Sequence, residues 1–251
     1  MTLTATGVTL TTQPSFAMHL SVNDITHHYG KRCALDQFSI SIPSGKVTAL
    51  LGPNGAGKST VFKLLAGLIK RQSGSYHLDH TPVTDEMSHL FQKIGFVFQE
   101  QTLDMSRTGL DNLHYSAGLH GLWGLTARDA IKRVTTLINC EDTLKRPIRT
   151  MSGGERRRIE IARALIHQPD WLLLDEPSVG LDISSRRQLS EELHRLVQEQ
   201  HLGILWCTHV TDELKPEDDL VILNQGKICF TGHCGSPEAL LQTYYDAVPH
   251  L

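Results

Sequence analysis

The sequence predicts an α/β fold, and three observations carry that reading. A glycine-rich loop, Gly52-Pro-Asn-Gly-Ala-Gly57-Lys58-Ser59, directly follows the apolar run Val47–Leu51 and leads into a helix-like stretch from Thr60 to Leu68. A second, denser apolar run, Trp171-Leu-Leu-Leu174, ends in the acid pair Asp175-Glu176. Strand-like runs and segments of helical periodicity alternate along the chain, as they do where helices cover a parallel sheet.

The elements follow in order. The first eighteen residues are rich in threonine, without the basic start or apolar stretch of a signal peptide, and read as a loose tail. Leu20, Val22 and Ile25, then Leu35, Phe38, Ile40 and Ile42, alternate on either side of Tyr29-Gly30 and predict two strands with a turn. Pro43-Ser-Gly45 is a turn, and the strand into the glycine-rich loop follows. Gln72–Ser75 breaks the next helix, and Ile94–Phe98 reads as a strand running into Gln99.

Residues 100–150 differ in character. Leu113, Ala117, Leu119, Ile131, Val134, Leu137 and Ile138 recur at helical spacing, so this stretch is predicted to be mostly helical. Glu155 to Ile166 predicts a further helix, and Leu189, Leu193, Leu196 and Val197 mark an amphipathic one. Ile204–Cys207 is a strand leading to Thr208-His209, and Leu220–Leu223 with Ile228–Phe230 forms a hairpin about Asn224-Gln-Gly226.

Composition narrows the function. At 251 residues, 40% hydrophobic and 20% charged, the chain suits one large globular domain. A net charge of −3 argues against a broadly basic nucleic-acid-binding surface. Arg156-Arg-Arg158 reads as one solvated helical turn offset by Glu160. Fourteen histidines show no metal-ligand spacing, and five scattered cysteines fit free thiols in a reducing compartment. No apolar stretch approaches the ~20 residues that cross a bilayer, so any work at a membrane requires spans from another chain.

Three segments carry chemistry. In the loop, successive backbone N–H groups turn inward and the following helix adds its positive end, making a pocket for phosphate oxygens. Lys58 reaches the β- and γ-phosphates in such a pocket, and the Ser59 hydroxyl holds Mg²⁺. Asp175 and Glu176 stand at the carboxyl edge of the sheet, where one carboxylate orients the metal and the next faces the attacking water. Ser152-Gly153-Gly154-Glu155 is a capping box, Ser at the N-cap with Glu three residues on. Its two glycines also clear side chains from a helix start, as a second phosphate-binding surface needs.

With Gln99, Met151-Ser-Gly-Gly-Glu155, Asp175-Glu176, Val179-Gly-Leu-Asp182 and Thr208-His209 following the loop in order, the chain resembles the ATP-binding-cassette (ABC) nucleotide-binding domain from about Leu20 to Gly232. The resemblance implies a P-loop NTPase core with a parallel sheet, an antiparallel β subdomain and an inserted α-helical subdomain. The domain then covers 19–236, the helical insert about 100–150 and into the 152–166 helix, with 237–251 as a C-terminal tail. It implies ATP contacts from Tyr29, stacked on adenine, and from Gly52, Pro53, Asn54, Gly55, Ala56, Gly57, Lys58, Ser59 and Thr60. By position alone Tyr29 is equally a strand-end tyrosine, whereas a lone histidine after a strand is more often structural, so the role of His209 rests on the resemblance.

In the family pattern Glu176, His209 and Gln99 serve hydrolysis, and Ser59, Gln99 and Asp175 hold Mg²⁺. Ser152, Gly153, Gly154 and Glu155 would meet ATP held by the opposite subunit, with Asp182 in the loop that communicates across the dimer. Two departures stand out: Glu155 replaces the commoner Gln, and Met151 the usual Leu. Glu155 suits a phosphate site only if it points back to cap its own helix.

Gln99–Asp104, Thr108–Leu113 and Pro147–Arg158 together resemble the export-type subfamily, whose membrane subunit is a separate chain, and within it the branch accompanying pyrroloquinoline-quinone-dependent alcohol dehydrogenase systems. That implies a separate transmembrane subunit and a pair of ATP-binding subunits, two copies of this chain or one copy with a relative, on the cytoplasmic face of the inner or plasma membrane. The competing class is the soluble ABC ATPase of the iron–sulfur assembly kind, which also carries Ser-Gly-Gly-Glu. Asp175-Glu-Pro177 and Ala162-Arg-Ala-Leu165 look like the transporter pattern instead.

Overall fold

The computed structural model describes residues 18–84 and 87–248. Except for Met18, the expected N-terminal tail lies outside the described residues. The chain runs β1 (His19–Tyr29), β2 (Arg32–Pro43), β3 (Val47–Leu51), α1 (Lys58–Leu65), β4 (Ser75–Leu78), β5 (Thr81–Val83), α2 (Ser88–Phe91) and β6 (Ile94–Val97). Then come α3 (Gly109–Leu119), α4 (Gly124–Leu137), α5 (Gly153–Ala164), β7 (Trp171–Asp175), α6 (Ile183–Gln200), β8 (Gly203–Thr208), β9 (Asp219–Asn224), β10 (Lys227–His233) and α7 (Pro237–Ala247).

The main sheet has the order β10-β9-β3-β8-β7-β6; all neighbours are parallel except the β9–β10 hairpin. β3, β7 and β8 are buried at every position, which is why they read as unbroken apolar runs. A second, antiparallel sheet has the order β2-β1-β4-β5 and shares a core with α1 and one face of the main sheet, through Phe38, Ile40, Phe62 and Leu173. On the opposite face a larger core joins α3, α4, α5 and α6, with Leu113, Val134, Ile161 and Leu193 at its centre. The Trp171 indole N–H donates to Ile42 O at 2.9 Å and fastens β7 to β2.

Several expectations change. The helix after the glycine-rich loop ends at Leu65, not Leu68, because Gly67 takes φ +68° and stops it. The helix expected from Glu155 begins two residues earlier, at Gly153, behind its Ser152 cap. The segment expected as a C-terminal tail carries α7, with Ser236 as N-cap and Pro237 in its first turn. Leu240 and Val248 pack there against Ala49, Leu51, Leu220 and Ile222. Arg157 is not solvated. Its guanidinium is buried, donating to Phe98 O and pairing with Glu160 Oε2, both at 2.8 Å.

That buried pair has an architectural role. Glu160 Oε1 accepts from Thr102 N at 3.1 Å, and Arg163 donates to Thr102 O at 2.8 Å. The segment from Phe98 to Thr102, which contains Gln99, is thereby tied to α5. A buried ion pair of this kind confers little net stability but strongly resists loss of one partner.

At the far end of α5 the His167 ring stacks on His120, centroids 4.1 Å apart. Burial, with added repulsion from His120 and Arg133, holds His167 down at about 4. Above the ordinary histidine value near 6.5 neither the folded nor the unfolded chain is protonated here. As pH falls from there to about 4, the unfolded chain gains a proton that the folded one refuses, so stability is lost across that window. His167→Phe keeps the stack and removes the titration. Urea unfolding at several pH values should show the wild type losing up to about 3 kcal/mol more than the variant. Parallel profiles would refute the assignment.

Candidate functional site

A cleft of ≈ 730 Å³ opens at the carboxyl edge of the main sheet and is lined by Tyr29, Asn54, Gly55, Gly57, Lys58, Ser59, Thr60, Gln99, Glu176 and His209, among others. β3 and α1 set its floor. The loop between them packs against its surroundings so closely that side chains are excluded: a Cβ at Gly57, which has φ +117°, would lie 2.7 Å from Ala34 O. Gly52 is pressed likewise against the backbone of Leu223. Gly52 and Ala56 are buried beneath the loop, and Asn54 and Gly55 face outward.

Lys58 is 5% exposed and folds back over the loop. Its ammonium donates to Gly52 O at 2.6 Å and Pro53 O at 3.2 Å, and stands 4.0 Å from Glu176 Oε1. Burial lowers its proton affinity, opposed by the charges of Glu176, Cys207 and Asp175. Glu176 adopts φ +47°, a left-handed conformation uncommon for this residue type, fixed by its N–H donating to Cys207 O at 2.8 Å. That turn brings Oε1 to within 3.2 Å of His209 Nδ1. The structure therefore gathers Lys58, Glu176 and His209, predicted from three separate motifs, into one constellation.

Asp175 is buried at the end of β7, beside Ser59. Burial pushes its carboxyl up, the Glu176 charge adds to this, and Lys58 opposes both. Its Oδ1 is buried without a hydrogen-bond partner among the described residues. The orphaned Asp175 oxygen is not itself in the cleft lining but lies beside the Ser59 hydroxyl, which with the Gln99 amide does line it; together they are an all-oxygen donor set that fits Mg²⁺. Tyr29, 46% exposed at the end of β1, meets His27 edge-on at 4.9 Å and offers its other surface to the cleft.

Ser152, Gly153, Gly154, Glu155 and Asp182 are not brought to this cleft. They form their own cluster. A Cβ on Gly153 would meet Leu181 at 3.2 Å and one on Gly154 would meet Ser185 at 3.3 Å, so the start of α5 sits against the start of α6. Asp182 caps α6, accepting from Ser185 N at 2.8 Å. Both oxygens of Glu155 are engaged: Oε2 accepts from Ser152 N and Oε1 pairs with Arg146, each at 2.7 Å. These contacts hold its carboxyl below the usual range, the Ser152 backbone bond foremost. Glu155→Ala should lower stability by about 1 kcal/mol in chemical denaturation, whereas Glu155→Gln keeps the cap and should change it by no more than about 0.5 kcal/mol. Equal effects of the two changes would contradict a capping role.

Sequence reasoning passed over Arg32, Ser178 and Arg186, which also line the cleft. Arg32 donates to Gly55 O at 3.2 Å, and a cation two residues past the turn at Gly30 was a readable signal. Nothing in sequence spacing pointed to Arg186.

A glycine loop cradling a buried lysine, with an acid pair at the end of β7 on the same edge of the sheet, defines a P-loop nucleotide-binding core. Residues 35–179 match the sequence model of the family described as ABC transporter, and the chain belongs to that family. It is 34% identical over 234 residues to the Fe(3+) ions import ATP-binding protein FbpC 1 of Pectobacterium atrosepticum, covering 93% of this chain and 64% of the relative. It is 34% identical over 214 residues to the linearmycin resistance ATP-binding protein LnrL of Bacillus subtilis, covering 85% and 68%. The chain thus spans about two thirds of the length of these relatives. Among solved structures it is similar to cbiO1 from Clostridium perfringens, part of the ABC transporter complex cbiONQ, with a TM-score of 0.79 at 27% identity over 92% of this chain and 95% of that one. The fold is that of ABC-type P-loop ATPases, with the antiparallel sheet and helical insert that the sequence resemblance implied. Among the described residues no helix is long and apolar enough to cross a membrane.

Proposed function

We propose that this chain is the ATP-binding and hydrolysing subunit of an ABC transporter, working as a nucleotide-sandwich dimer that drives a separate membrane subunit from the cytoplasmic face. One observation carries the reading. The cleft unites Lys58, Gln99, Glu176 and His209, while Ser152, Gly153 and Gly154 present a helix start elsewhere. A single chain then offers half of a site, and a second copy facing it supplies the other half.

The roles follow from the geometry. Tyr29 stacks on adenine, and the N–H groups from Asn54 to Thr60 with the Lys58 ammonium bind the phosphate oxygens. Ser59, Asp175 and Gln99 would hold Mg²⁺, which when bound supplies charge neutralisation between the β- and γ-phosphates. Glu176 orients and deprotonates the attacking water, and His209, against Glu176 Oε1, donates to the γ-phosphate. Ser152, Gly153 and Gly154 of the second copy close on that phosphate, with Asp182 shaping the adjoining loop. Glu155, occupied by Ser152 and Arg146, shapes this surface instead of touching nucleotide. Donors on both sides of the γ-phosphate exist only in the dimer, so ATP favours closure and hydrolysis releases it.

Force reaches the membrane partner through the helical insert. Tyr115, Leu119, Trp123 and Leu125 are exposed there, an apolar surface of the kind that marks a protein interface. Export is the direction favoured by the motif resemblance and by the linearmycin resistance relative. Import is the second reading, favoured by relatives that import Fe(3+) and sulfate/thiosulfate at comparable identity. The branch accompanying quinone-dependent dehydrogenases would place the membrane subunit's gene beside such an enzyme.

Affinity purification of the intact chain from membranes tests this function. A co-purifying polypeptide with roughly six hydrophobic spans of ~20 residues is expected. Recovery only from the soluble fraction, without such a partner, would favour the soluble iron–sulfur-assembly class of ATPase. Inside-out vesicles carrying that partner would accumulate cargo on ATP addition under export and lose it under import.

A further inference from the structure

Behind the cleft lies a buried carboxylate that the hydrolysis chemistry above does not use. We infer that Glu213 is a positioning residue for hydrolysis, tying the loop after Glu176 to the strand end that bears His209; this rests on the hydrolysis reading given above. Glu213 closes a short 3-10 turn, Thr211–Glu213, and only 1% of its surface is exposed. Its Oε1 accepts from the Ser178 hydroxyl and its Oε2 from the Thr208 hydroxyl at 3.0 Å. Ser178 stands two residues after Glu176, and Thr208 immediately precedes His209. Arg186 Nε approaches Oε1 at 3.6 Å, and Ser190 Oγ donates to the Glu213 carbonyl at 2.6 Å.

The chemistry of this node separates it from packing. An apolar side chain would fill the position without the desolvation cost of a buried carboxylate, so the acid is there for its two acceptor oxygens. Those oxygens collect one hydroxyl from each of the two segments whose relative placement sets the catalytic pair. The first link between these segments is the bond from Glu176 N to Cys207 O at 2.8 Å; the Glu213 bridge is the second. The Glu213 bridge thus adds a side-chain link to the backbone ladder that joins β7 to β8, and fixes the segments beyond the strand ends. The 3.2 Å approach of His209 Nδ1 to Glu176 Oε1 is then a property of the resting fold, present before nucleotide arrives. Glu213 itself does not line the cleft, so its removal should leave ground-state nucleotide contacts in place.

The test compares steady-state hydrolysis of ATP with Mg²⁺, and equilibrium binding of ADP, in the full-length chain and its variants. Glu213→Ala should lower kcat about tenfold or more while KM and the ADP Kd stay within about twofold, because misplacement is felt in the transition state and not in binding. Glu213→Gln should recover kcat to within about threefold, since its amide oxygen and NH₂ can bridge the two hydroxyls once they rotate. A kcat within about twofold of wild type for Glu213→Ala overturns the inference, as does a loss shared equally by ADP affinity or a failure of Gln to rescue. Should Glu213→Ala not fold, Thr208→Val, at a buried residue outside the cleft lining, removes one of the two bridging hydroxyls and leaves the acid. It must lower kcat while the ADP Kd stays within about twofold, and an unaltered kcat overturns the bridge. Absence of turnover in the wild type would instead overturn the hydrolysis reading, and this inference with it.

Discussion

Glu176→Gln is expected to stop turnover while leaving ATP bound. The substitution keeps the shape of the side chain and an oxygen that can still face His209 at the 3.2 Å seen for Oε1. It removes the basicity needed to take a proton from the attacking water, which lowers the rate by about 10²–10⁴-fold when such a group is lost. The ATP-bound dimer proposed above, which hydrolysis would disperse, should then accumulate. Phosphate release measured beside size-exclusion chromatography, with ATP and Mg²⁺ in the running buffer, reads both effects. The variant should elute at twice the monomer mass with nucleotide in the peak. Unchanged monomer elution would count against the sandwich, and wild-type turnover would remove Glu176 from the chemistry.

Lys58→Ala should abolish useful ATP binding. The ammonium lies buried against Gly52 O and Pro53 O, so it is already positioned above the loop where β- and γ-phosphates arrive. Truncating one partner of a desolvated charge pair costs about 2–5 kcal/mol, roughly 30-fold to a few thousandfold in Kd. Loss of Lys58 also leaves Glu176 facing the incoming phosphates without the cation 4.0 Å away. ATP should therefore no longer raise the melting temperature of the variant, since a ligand stabilises a fold only in proportion to its occupancy. Retained nucleotide affinity in equilibrium titration would refute the role given to this lysine.

That Lys58, Glu176 and His209 line one cleft was legible in the sequence because they sit at strand ends that announce themselves. β3 and β7 are buried on both faces and so appear as apolar runs, and the loop and acid pair follow them directly. The edge hairpin of β4 and β5 was not read, because its strands are four and three residues long and mostly half-buried, too short for alternation to show. α7 was readable and missed. Ser236-Pro237-Glu238 is a helix start by capping chemistry, yet its single buried leucine gives little periodic signal. Arg157 looked like part of a solvated basic turn because charge runs normally are; only tertiary structure reveals Phe98 O and Glu160 around it. Glu213 carries no motif that spacing alone would single out, since its partners lie 35 and 5 residues away on separate elements.

Specific ATPase activity measured across a dilution series bears most directly on the claim that one chain holds half a site. Turnover per molecule should fall as concentration drops below the dimer dissociation constant, and a paired species should appear with ATP in the Glu176→Gln variant. Constant turnover per molecule over the whole series, with no paired species at any concentration, would show that a single chain completes the reaction alone.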